Sequence, residues 1–237
     1  AVTTSIDAGG NNFSFNNTSA VEVQSGTLAT TTSGTHTGSF NVSSGKTLSF
    51  AGANSFTASS FLGGGGAVNM INNTQTMVGA NTVTGTSFSV TGATVSGAGS
   101  LALDSASPLN LSSGTLSTSS VTANGAFNWS GTGVSVLGSG LTVNGGMAIT
   151  GSGQKQLNGG TLTLASNSSW DGTGVIRFNS GVITNQSTRI FDVTGDGTID
   201  SSGGVSSFNN AGTFRKSAGA VTTSIDAGGN NFSFNNT

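Results

Sequence analysis

The run Asp192-Val193-Thr194-Gly195-Asp196-Gly197-Thr198-Ile199-Asp200 holds three of the chain's eight acidic residues, and it is where metal chemistry is first sought. Oxygen donors at its first, third, fifth and ninth positions, with glycine at the sixth, echo a calcium loop, in which hard oxygen ligands surround a sharp turn. The twelfth position of such a loop supplies a bidentate glutamate, and here it is Gly203. Two sister strings, VSGAGSL from Val95 and ITGSGQK from Ile149, fill the same kind of segment without carboxylates. Asp192, Asp196 and Asp200 therefore stand as a calcium candidate beside a simpler reading, a turn whose aspartates cap nearby backbone, and the missing glutamate favours the turn.

Other residue types with chemical potential lack their partners. Ser44-Gly45-Lys46-Thr47 hints at a phosphate loop, which needs glycine five residues before Gly45; Phe40 is there instead. Gly63 to Gly66 has no following Lys-Ser/Thr and no helix signal behind it. His36, the only histidine, lies in SGTHTGS, which lacks the nucleophile-elbow pattern of a hydrolase. Trp129 and Trp170 could stack on a sugar, but their matched places in alternating strands point them into a core. The triplets THT (Thr35 to Thr37), TVT (Thr82 to Thr84) and TLT (Thr161 to Thr163) do not recur at one spacing, which argues against a flat ice-binding face. Asn-x-Ser/Thr triplets, as at Asn41, Asn110 and Asn167, follow from composition alone. The expectation is a chain with no catalytic residues and no cofactor, and not an enzyme.

Composition narrows the partners. Charged residues are 6% of 237, against roughly a quarter in ordinary soluble domains, and the net charge is −2. Lys46, Lys155, Arg177, Arg189, Arg215 and Lys216 form no basic stripe, so nucleic acid is not an expected partner. No apolar run approaches the roughly 18 residues of a spanning helix, so no membrane insertion is expected. The absence of cysteine excludes disulfides and thiolate metal sites. With no starting methionine and no leader pattern, the chain reads as a mature or internal piece.

The elements that must carry these residues are strands. Apolar residues come in alternating bursts of three to five, such as VEV, SFNV, TLSF, FNW and RIFDV, each bounded by Gly, Ser or Asn turns. Alternation turns Val21 and Val23 inward around Glu22, and Phe127 and Trp129 inward around Asn128. Repeats then select the architecture. NWSGTGVSVLGSGLTVN from Asn128 aligns without a gap on SWDGTGVIRFNSGVITN from Ser169, matching Trp129 with Trp170, Gly131 with Gly172, Gly133 with Gly174, Gly140 with Gly181 and Asn144 with Asn185. That spacing, 41 residues from Trp129 to Trp170, reads as two coils of about 20 residues each. VSGAGSL, ITGSGQK and VTGDGTI form a further family. The predicted fold is all-β, a parallel β-helix (β-solenoid) of about ten coils.

The longest repeat is AVTTSIDAGGNNFSFNNT, which occupies residues 1–18 and again, unchanged, residues 220–237. The domain reading is one solenoid unit over 1–219 and the start of an identical unit over 220–237. A second match aligns FNNAGTFRKSAG from Phe208 on FNNTSAVEVQSG from Phe15. Through the second copy it places Phe208 26 residues before Phe234. It also predicts Arg215 beside the Glu22 of a following unit, an outward ion pair at the unit junction.

The strings FNNAGTF, VEVQSGTL, THTGSFNVSSGKTLSF and VTGDGTID resemble the repeats of giant bacterial surface proteins, the filamentous-haemagglutinin-type adhesins and autotransporter passengers. The resemblance covers most of the chain. It implies a right-handed parallel β-helix in an extracellular or cell-surface location. The expected function is structural: a repeat module of a filament, sheath or adhesin shaft that supplies length, stiffness and protease resistance. Its partners would be copies of itself, end to end and side by side. The alternative is an adhesin that binds a ligand or carbohydrate on a solenoid face.

Overall fold

The computed structural model of the chain describes residues 2–7, 9, 12–57, 61–226 and 231–237. They form a parallel β-solenoid of about ten turns, with no helix among the described residues. Most turns lay down three short strands, while Thr94–Leu103 and Gly114–Ala123 each run on through the second and third faces, and strands pair in parallel with their counterparts in neighbouring turns. The first face runs from Thr3–Ile6 through Thr27–Thr30 and Thr47–Phe50 to Thr213–Lys216. The second runs from Gly34–His36 through Asn54–Phe56 and Thr74–Met77 to Ser224–Asp226. The third runs from Ala20–Val23 through Ser39–Val42 to Phe232–Asn236.

Strand alternation builds the core. In Ser39–Val42, Phe40 and Val42 are fully buried while Ser39 and Asn41 look outward. The inward positions stack into columns along the axis. One column on the first face reads Leu111, Trp129, Ile149, Trp170, Val193, each in register with the next. Trp129 and Trp170 are thus two coils apart, as their spacing predicts, and both are buried. Burying one large apolar side chain contributes roughly 1.5–3 kcal/mol, and the stack repeats that gain at every turn.

Two sequence alignments need correction. The gapless match holds through Leu137, Leu157 and Phe178, which are in register. Beyond that corner Gly140 falls in register with Thr161 and Val182, not Gly181, and Val143 rather than Asn144 leads to Asn185. The corner after Phe178 holds one more residue; Ser180 there has φ of 55°. The family of VSGAGSL also divides. Ile149 and Val193 share a column on the first face, whereas Val95 lies on the second.

The corner from the first to the second face explains the repeated G-x-G. Gly131, Gly151, Gly172 and Gly195 stack in one column, and Gly133, Gly153, Gly174 and Gly197 in another. A Cβ on Gly151 would meet the Gly131 carbonyl oxygen, and the same relation links Gly172 to Gly151 and Gly195 to Gly172. Backbone lies directly on backbone at this corner, which leaves no room for a side chain.

Candidate functional site

Three ion pairs gather around that corner. Asp192 lies on the first face, Asp196 in the turn and Asp200 on the second face. Each carboxylate meets a basic side chain from a neighbouring coil. Arg215 donates from Nε and Nη2 to the two oxygens of Asp192, at 3.1 and 2.6 Å. Arg177 donates from Nε and Nη2 to Oδ2 of Asp200, at 3.0 and 2.7 Å. Lys216 donates to Asp196 Oδ1 at 2.8 Å and to the Gly195 carbonyl at 2.5 Å. The Ala220 N–H also donates to Asp196, at 2.9 Å. Hydrogen bonding from Arg215 holds the Asp192 carboxyl below its usual range, and Lys216 does the same for Asp196. Their stabilising share is complete above the ordinary carboxylate pKa of 3.8 and is lost as pH falls below it.

The three aspartates thus do not converge on a common point. Among the described residues no group of three His, Cys, Asp or Glu side chains is arranged to hold a metal ion. The partners sit 20 to 23 residues away in sequence, one coil off.

Arg215 and Glu22 lie on different faces of this chain. Arg215 is on the first, and Glu22 on the third, where Asn41 Nδ2 donates to it at 2.9 Å. The Glu22 of a following unit would come after Thr237. Phe208 is in register with Phe234 on the third face, ring centroids 5.3 Å apart and stacked. Phe15 stands at the other end of the stack, beside His36 and Phe40.

A set of asparagine ladders escaped the sequence reading. Asn128 donates to Asn110, Asn144 to Asn124, Asn179 to Asn158 and Asn235 to Asn209, each side chain to side chain at 2.8 Å. Asn185 and Asn210 are buried; Asn185 donates to Asn210 at 2.7 Å, and Asn210 to Asn236 at 2.6 Å. An amide can both donate and accept, so asparagines on successive coils can pair with one another; among the described residues the buried Asn185 Oδ1 accepts no hydrogen bond. The available signal was Asn recurring at offsets of 18 to 26 residues, the length of a coil.

Two buried cationic residue types are accounted for by packing. Lys155 is 1% exposed, and its Nζ donates to the Gly153 carbonyl at 2.9 Å and the Gly131 carbonyl at 3.4 Å; burial lowers its pKa. His36 is buried among the rings of Phe15, Phe40, Phe50 and Phe56, with centroids 5.0 to 5.6 Å away, and its Nε2 lies 3.0 Å from Asn54 Oδ1. Burial pushes its pKa below the ordinary 6.5. A base depressed in the folded state leaves stability intact above pH 6.5 and erodes it below, because the unfolded chain takes up a proton that the folded chain refuses. The urea midpoint should therefore fall between pH 7.5 and pH 5.5, a window above carboxylate titration, and His36→Phe should flatten that slope. A midpoint that does not move in the native chain would count against a buried neutral imidazole.

A surface depression of about 490 Å³ lies on the second face along Ser14, Asn16, Thr35, Ser55, Thr74 and Thr76. Its lining offers hydroxyls and amides, with neither a carboxylate pair nor an aromatic platform. The described residues supply stacked strands, asparagine ladders and shallow polar faces. Comparison with protein-family models, with curated proteins and with solved structures finds no match to this chain.

Proposed function

We propose that the chain is a structural unit of an extracellular or cell-surface bacterial filament, sheath or adhesin shaft. One observation carries the reading. The last complete coil is covered by a segment, 220–237, whose sequence is that of residues 1–18, seated by parallel pairing on Thr198–Gly203 and Ser206–Asn210. A solenoid end is an open sheet edge, prone to pairing. An edge fitted to the sequence that begins the same unit supports growth by repetition. The sparse charge of the chain supports close approach of neighbouring shafts.

Tandem chains of one, two and three units, viewed by negative-stain electron microscopy, test this. Ten coils at about 4.8 Å each should add roughly 50 Å of rod per unit at constant width. Compact particles, or beads joined by flexible links, would sink the proposal. The second reading, a carbohydrate-binding adhesin, draws on the hydroxyl-lined depression of the second face. A glycan-array screen discriminates it: saturable binding lost on Thr35→Val with Thr76→Val would favour the binder.

A further inference from the structure

We infer that the 219-residue unit advances the stack by ten coils and one further face, so that each unit of a polymer is turned by one face against the unit before it. The inference rests on the filament reading for its consequence along a polymer, but its geometry is a property of this chain.

Identical sequences occupy different faces. Thr3–Ile6 pairs with Thr27–Thr30 on the first face, Ser5 opposite Ala29. The second copy of Ser5 is Ser224, which pairs with Thr198 on the second face. The segment around Phe15 follows the second face: the Phe15 N–H donates to the Ser33 carbonyl at 3.0 Å, and Asn17 bridges to His36. Its second copy, Phe232–Asn236, pairs with Ser206–Asn210 on the third face. Both parts of the copy have moved on by one face, in the same sense. The cause lies just before the copy. The first face is revisited at Thr213–Lys216, so ten coils are complete before residue 220. The copy must then begin on the face that follows.

The shifted seat is chemically matched. Phe234 stacks on Phe208 and meets Phe214 edge-on at 5.1 Å, while Phe232 packs against Phe178 at 5.1 Å. Asn235 and Asn236 extend the ladders of Asn209 and Asn210. Continuing the same 26-residue offset lays the Val21 of a next unit over Phe214, and its Glu22 over Arg215. The column Asp192–Arg215 would then gain a third charge of alternating sign. A unit of whole coils would instead place the copy of Ser5 over that strand, with no charge for Arg215. Because the turn is one face in three, a given surface residue returns to the same side of the polymer only at every third unit.

The chain has no cysteine, so paired cysteines report the register directly. Neighbouring parallel strands sit about 4.8 Å apart, within the Cα range of a disulfide, whereas residues on different faces cannot be bridged. In the full chain, Thr198→Cys with Ser224→Cys and Asn209→Cys with Asn235→Cys should each close under mild oxidation. Arg215→Cys with Ser224→Cys should stay reduced. Closure of the third pair, or failure of the first two in proteins with native circular dichroism, overturns the inference. A whole-coil result leaves the filament reading intact, whereas absence of the length increment per unit removes that reading and leaves the seat of 220–237 unaffected.

Discussion

Trp170→Ala should lower the stability of the surrounding coils by about 3–5 kcal/mol, the range for removing a large buried aromatic. Trp170 is 1% exposed and is held in register between Ile149 and Val193. The space it fills cannot close easily, because Gly197 and the corner backbone abut the ring: a Cβ on Gly197 would collide with the indole. Trp129 then remains as the sole indole, two coils away, and its fluorescence in a urea titration reads the loss. The midpoint should drop steeply for Trp170→Ala and only partly for Trp170→Phe. Val205→Ala, at a side chain 78% exposed, should stay within about 0.5 kcal/mol of the native chain. Equal midpoints for Trp170→Ala and Val205→Ala would mean that the column is not the core.

The second large effect is expected at Gly131→Ala. Gly131 has φ of 94°, which a side chain adopts only with strain of about 1–2 kcal/mol. Its added Cβ would also overlap the Ser112 carbonyl oxygen of the coil before, and such overpacking costs typically about 1–3 kcal/mol. The sum, about 2–5 kcal/mol, should appear as faster amide exchange in Phe127–Trp129 and Leu109–Leu111, the strands on either side of the contact. Gly140→Ala is the control: its Cβ would meet nothing within 4 Å. If both variants exchange alike, close backbone approach is not what selects glycine at the corner.

The fold was readable in the sequence because alternation and coil length both act on the apolar residues. Trp129 and Trp170 lie 41 residues apart, and two coils of 20 and 21 residues separate them in space. Which face a strand joins was much harder to read. Ser5 and Ile6 recur as Ser224 and Ile225 on another face, and a Thr- and Ser-rich strand has little apolar contrast to announce which face it joins. Thr30 is fully buried in one coil while its neighbour in register, Phe50, fills the same inward column in the next. The partners of the three aspartates were hidden from the sequence for a related reason. Asp192, Asp196 and Asp200 look like one site when read along the chain, but each carboxylate faces a partner one coil away. The same lateral view would have exposed the asparagine ladders.

Strands that run across the axis also determine how such a stack of coils answers a pull. Tension along the axis loads the hydrogen bonds between coils, and each coil is tied only to its two neighbours. Under sufficient force an end coil would peel away before the next is disturbed. A released coil of about 20 residues, at roughly 3.3–3.6 Å per residue, would supply about 65–70 Å of slack in place of about 4.8 Å of rod. A shaft built this way would yield in small steps and lengthen more than tenfold before the covalent chain itself bore the load.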